Sequence, residues 1–107
     1  MTEGADPALP PEEFLGLALS DFEGLIGTSF AIQTEMGEQE LVLGAAQAVP
    51  GSPRPEGGFR LEFTGPPQPR LPQSIYGFPV GGALHDIFVV PIGPGADQRL
   101  RYEAIFF

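Results

Sequence analysis

From Thr28 to the last residue the chain keeps one rhythm, an apolar side chain at every second position in short runs, each run broken by glycine or proline. "FRLEFTG" shows it most cleanly, with Phe59, Leu61 and Phe63 alternating with Arg60, Glu62 and Thr64. A period of two sends neighbouring side chains to opposite sides of an extended strand, so each run has one face for a core and one for water. The same reading covers Phe30 and Ile32 in "TSFAIQT", Leu41, Leu43 and Ala45 in "QELVLGAA", and Tyr76 and Phe78 in "SIYGFPV". It also covers Leu100, Tyr102, Ala104 and Phe106 in the final segment. Gly37 in "EMGE" and the pair "GG" at 81 and 82 supply tight turns. "VPGSPRPEGG" is a longer loop, and "PPQPRLPQ", too rich in proline for a central strand, is an extended crossover. With 15 glycines and 13 prolines among 107 residues, long helices have no place. The expected fold is mainly β, a small antiparallel barrel or sandwich of six to seven strands with one short N-terminal helix.

That helix is expected around "SDFEGLIG". Ser20 and Glu23 have the spacing of a capping box, Phe22, Leu25 and Ile26 fall at i, i+3 and i+4, and Gly27 can take the left-handed conformation that ends a helix. Just before it, Leu15, Leu17 and Leu19 alternate, although a helix starting after Pro11 fits that segment nearly as well. Residues 1–12, polar and without periodicity, read as an acidic flexible arm, and 13–107 as a single β domain.

Two segments near the carboxyl end decide how much of the apolar pattern is internal. In "LHDIFVVPI", Ile87 and Val89 share one face and Phe88 and Val90 the other, which predicts a strand lying between two layers or beneath another segment. Pro91 has no N–H and is expected to end full pairing there. "GPGADQ" then reads as a turn. The inward positions carry large side chains worth about 1.5–3 kcal/mol each when buried. That sum offsets the ordering entropy of a domain this size only if "LRYEAIFF" docks on its own core. Ile105 and Phe107 point the other way and read as the start of a protein interface.

Charge and composition exclude several classes of function. The formal net charge of −9 arises within residues 1–40, where nine acids stand without a base, while the remainder balances five acids against five arginines. Such a surface repels phosphate backbones and anionic lipid, so neither nucleic acid nor membrane is an expected partner. The absence of cysteine removes disulfides, zinc-thiolate and iron–sulfur sites and cysteine nucleophiles. "MTEGADPALPPEE" lacks the basic and apolar regions of a secretory signal, and no apolar run is long enough to span a bilayer. The expected location is the cytoplasm, or the outside only as part of a larger particle.

No catalytic, cofactor-binding or metal-binding residue is assigned. His85 and Asp86 are neighbours on a strand and therefore face opposite ways, and a lone histidine without cysteine makes a poor metal site. Ser20, Ser29, Ser52 and Ser74 lack a nucleophile-elbow setting, with only His85 available as a base. Glu38 and Glu40 share a strand face beside a turn, which reads as a solvated edge that resists aggregation. The P-x-x-P spacings at Pro66, Pro69 and Pro72 read as a rigid connection.

Four stretches in order, "LALSDFEGLIGTSF", "LPQSIYGFP", "FVVPIG" and "RYEAIFF", resemble a family of small uncharacterised bacterial β domains with L-P-Q-G-x-Y, L-V-P-I-G and Y-E-A-x-F motifs. The matching positions are Asp21, Phe22, Gly27 and Phe30; Leu71, Pro72, Gln73 and Tyr76; Val90, Pro91, Ile92 and Gly93; and Tyr102, Glu103, Ala104 and Phe106. Ser74 stands where the family has glycine. The resemblance implies no activity; some members are encoded near phage-tail-like collar proteins, which implies an accessory or assembly role.

The leading expectation is a non-enzymatic structural or assembly module without a cofactor, acting on a protein partner or by self-association through Ile105 and Phe107. The alternative, from a different class, is a small-ligand-binding or enzymatic barrel with Tyr76, His85 and Glu103 around a mouth.

Overall fold

A computed structural model describes residues 17–55, 57–95 and 98–107. The proposed arm at 1–12, residues 13–16 of the ambiguous leucine segment, and part of "GPGADQ" lie outside the described residues. Among the described residues one short helix, α1 (Ser20–Glu23), precedes six strands: β1 (Ser29–Thr34), β2 (Gly37–Val49), β3 (Gly58–Gly65), β4 (Ser74–Val80), β5 (Ala83–Pro94) and β6 (Leu100–Phe106). All pairings are antiparallel, in the order β1-β2-β3-β6-β5-β4. The outer strands β1 and β4 come side by side and bring Phe30 to 6.0 Å from Phe78 between ring centroids, so the sheet is a nearly closed barrel.

Each hairpin follows from its turn residues. Thr34 and Gly37 flank the two-residue connection Glu35-Met36, where Gly37 has φ +98° and the Thr34 hydroxyl donates to the Gly37 carbonyl at 2.7 Å. Gly81 and Gly82, both at positive φ, make the tight return from β4 to β5. The proline-rich crossover carries the chain from β3, in the middle of the sheet, to β4 at its edge, and β5 and β6 then fill the space between them. Leu71 of this crossover is buried, and its N–H donates to the Tyr102 hydroxyl at 3.0 Å. Two of the sequence motifs, "LPQ" and "YEA", therefore meet inside the barrel.

The core is the inward set read from the alternation: Phe30, Ile32, Leu41, Leu43, Phe59, Leu61, Phe63, Tyr76, Phe78, Ile87, Val89, Tyr102 and Ala104, joined by Phe22. β6 docks as expected, and Phe106 stacks on Phe59 at 4.4 Å while Phe22 packs against both rings. Arg54 closes this end of the barrel. Its guanidinium lies over Phe59 and Phe106 and donates to the carbonyls of Leu17 and Gly57.

Several details depart from the expectations. The helix is a single turn, and Ser20 lies inside it without a side-chain cap; the reach-back bond is made by Asp21, which accepts from the Ala18 N–H at 2.8 Å. A carboxylate two positions earlier than Glu23 serves a donor two positions earlier than Ser20, and the Ser20–Glu23 box does not form. Ile26 lies beyond the end of the helix and is exposed. In β2 a bulge at Gly44 shifts the parity, so Ala46 rather than Ala45 faces the core, opposite Leu61. Pro91 does not end the β5 ladder, because a second bulge, with Gly93 at φ +112°, lets pairing with β6 resume at Gly93 and Pro94. Finally, β5 is not sandwiched: Ile87 and Val89 are buried, while Phe88 on its other side is exposed.

Candidate interaction surface

Three strands build the outward face beside the carboxyl terminus. On β3, β6 and β2 the alternation turns Arg60, Glu62, Arg101, Glu103 and Gln47 away from the core, and the registers bring them together. Arg60 donates from Nε to Glu103 at 2.7 Å, from Nη1 to Gln47 at 2.7 Å and from Nη2 to Glu62 at 3.0 Å. Arg101 grips the same Glu62 with two bonds, at 2.7 and 3.2 Å. The bonds from Arg101, helped by those from Arg60 and opposed by partial burial, bring the Glu62 carboxyl from an ordinary 4.5 to about 2. Hydrogen bonds to Glu103 and Glu62 raise Arg60, and those to Glu62 raise Arg101, above the ordinary guanidinium value. The cluster holds two cations and two anions and presents no net charge.

Ile105 stands in the ladder opposite Arg60, on this same outward side, and Phe107 follows the end of β6. Both are 57% exposed. Phe106 between them is core. The terminus thus puts alternate side chains inside and outside, and the two residues expected at an interface are the ones left in solvent.

The residues of the alternative reading do not gather. Tyr76 is buried on the inward side of β4 and donates its hydroxyl to the Pro72 carbonyl at 2.6 Å, with burial raising its pKa. His85 shares that inward side, opposite Phe78 at the Gly81-Gly82 end of the hairpin. Glu103 lies on the outer face against Arg60. A depression of about 250 Å³ beside the β1–β2 turn is lined by Thr34, Glu35, Met36, Pro72, Gln73, Ser74 and Tyr76. Of the three side chains it holds only Tyr76, whose hydroxyl is already engaged, as is that of Thr34. Among the described residues no group of three or more histidine, cysteine, aspartate or glutamate side chains is placed to hold a metal ion. Nor, among these residues, is any helix long and apolar enough to cross a membrane.

A second exposed apolar group, which the alternation does not single out, is formed by Ile75, Leu84 and Phe88 on the outward side of the β4–β5 hairpin. Its signal in the sequence is the two-sided apolar pattern of "LHDIFVVPI", which a strand buried on both faces would share.

No curated protein and no solved structure matches the chain. A family model described as a domain of unknown function, DUF6916, matches residues 17–106, and the chain belongs to that family.

Proposed function

We propose that this chain is a non-enzymatic structural or assembly module that works through protein contacts, with Ile105 and Phe107 in the contact surface. The observation that carries this reading is the pair of large apolar side chains left in solvent at the end of a strand whose other face packs on the core. Burying them is worth about 1.5–3 kcal/mol each, enough to anchor a contact. The balanced cluster beside them adds hydrogen-bonding groups at the rim without a repelling field. The resemblance to sequences encoded near phage-tail-like collar proteins supports an accessory role in such an assembly, working in the cytoplasm or within the particle. Protein rather than nucleic acid or lipid is the partner class, since the formal charge of −9 opposes both of the others.

The test is Ile105→Glu combined with Phe107→Glu in the full chain. Removing the last three residues would also take Phe106 out of the core, whereas the double substitution leaves the stacked Phe59–Phe106 pair intact. The double variant should keep the circular dichroism spectrum and unfolding midpoint of the parent. It should lose whatever the parent holds, a second copy in light scattering or a protein identified after capture from the producing cells. Equal retention by parent and variant, or a parent that binds neither itself nor any protein, overturns the reading.

A further inference from the structure

The outward side of the β4–β5 hairpin is apolar at every position but one. Ile75 and Phe88 are direct cross-strand partners. Leu84 lies over Gly77, where an added Cβ would stand 3.1 Å from the leucine Cγ, and so extends the apolar surface from its own end of the hairpin toward Ile75. The remaining outward positions are Pro79 and Asp86, the latter the one charge on this face. The last pair of the β5–β6 ladder is Val90 with Glu103, and Phe88 and Ile105 each lie two residues beyond it on their own strands, on the same outward side. Ile75, Leu84, Phe88 and Ile105 are exposed by 60, 73, 50 and 57%. Together they show on the order of 450 Å² of apolar surface, within the range of the largest patch on an ordinary monomer. It is also enough for the centre of a standard interface of about 800 Å² per partner.

From this surface we infer that the strip is covered by the same strip of a second copy of this chain, in a twofold pair. The inference rests on the protein-contact reading above and names the partner. Charge selects the occupant. Two molecules of net charge −9 repel each other over most approaches. In the ring of strands β2 stands three places from β5 in either direction, so its exposed Glu38 and Glu40 lie across the barrel from the strip. At that distance exposed charges are largely screened, because the Debye length is about 8 Å at physiological salt. Glu35, in the β1–β2 turn near Ser74, stands at the rim, and the ion-paired cluster on β3 and β6 is neutral on the other flank. A twofold contact sets a patch against its own copy, so the single charge of the strip must avoid its copy: with the axis at Phe88, Asp86 lies two residues along β5, about 7 Å to one side, and its copy as far to the other. A basic partner would be drawn instead to the acidic side of β2.

Sedimentation velocity of the full chain across low-micromolar to submillimolar concentration tests the pairing. The parent should pass from monomer to dimer, and Phe88→Glu should raise the dissociation constant by about 30-fold or more, as for the loss of a central contact. Leu84→Glu, at the most exposed of the four positions, gives the same answer should Phe88→Glu not fold. Glu40→Gln, on the far side, should leave the constant unchanged. A dimer that survives Phe88→Glu and Leu84→Glu uses another surface and overturns the inference. A parent that stays monomeric throughout overturns it too; the broader reading then stands if capture still yields a protein partner lost with Ile105→Glu and Phe107→Glu, and falls with it if no partner is found.

Discussion

Two neighbouring stretches of one sheet meet water with opposite chemistry. The outward side of β3 and β6 carries Arg60, Glu62, Arg101 and Glu103, each answered by a partner on its own or the next strand. The outward side of β4 and β5 carries Ile75, Leu84 and Phe88, which are apposed to one another yet remain largely in solvent. Backbone geometry is the same in both, alternate residues pointing out from an antiparallel ladder. Period two therefore assigns a residue to a side of the sheet, and only the chemistry of that side tells whether water is its intended neighbour.

The largest test of this distinction uses two phenylalanines of one hairpin. Phe78 on β4 faces inward and packs against Phe30 and Phe63, whereas Phe88 on β5 faces outward. Phe78→Ala should cost about 3–5 kcal/mol in urea unfolding, as for a buried aromatic. Phe88→Ala, measured in protein dilute enough to be monomeric, should change stability by no more than about 0.5 kcal/mol. Comparable losses at the two positions would mean that the outward strip belongs to the fold of the single chain.

How far such differences are visible without coordinates depends on what fixes them. Inward residues such as Phe59, Leu61 and Phe63 are set by alternation alone, so the core and the number of strands were legible. Ala46 was not, because Gly44 inserts one residue against the partner strand and reverses the parity after it. Phe88 was not, because an apolar residue on the second face of a strand has the same sequence pattern whether another layer or solvent lies over it. The exposure of Ile105 and Phe107 was legible from parity at the terminus. Tyr76, His85 and Glu103 failed to assemble, since Glu103 points away from the barrel and Tyr76 into it. Ile75 became visible only once the register set it against Phe88.

The charged side should reveal itself through pH. Glu62 has a folded pKa of about 2 against an ordinary 4.5, so the fold favours its carboxylate. A depressed pKa gives stability that is fully present above about 4.5 and is lost as pH falls from there toward about 2. Glu62→Gln should lower stability by about 1–2 kcal/mol at neutral pH, the worth of hydrogen bonds to a charged group reduced for a partly solvated site. It should also flatten that part of the acid limb. An unchanged pH profile in the variant would show that the ion pairs, though well formed, do not contribute to folding. No substitution of Ile75, Leu84 or Phe88 on the apolar strip should alter the acid limb to the same extent.

The smallest effect asks whether the apolar side is ordered by its own packing. Gly77 has room for a Cβ only if Leu84 gives way, because its Cγ and Cδ2 would stand at 3.1 and 3.2 Å. The obstructing atoms are the far end of a side chain that is 73% exposed and can swing outward. Alanine also lowers the entropy of the unfolded chain, which favours the fold by about 0.4–1 kcal/mol when the backbone tolerates it. Crowding and entropy oppose each other, so Gly77→Ala should leave monomer stability within about 0.5 kcal/mol of the parent. Gly58→Ala offers the contrast, since its Cβ would meet the Ser52 Cβ at 2.6 Å and the Phe106 carbonyl at 3.0 Å, neither of which can move without the backbone. A cost at Gly77 approaching that at Gly58 would show Leu84 to be fixed against the sheet. A near-neutral Gly77→Ala would show that displacing the outward leucine costs no more than the entropy alanine saves, a looser hold than the ion pairs place on the other side of the barrel.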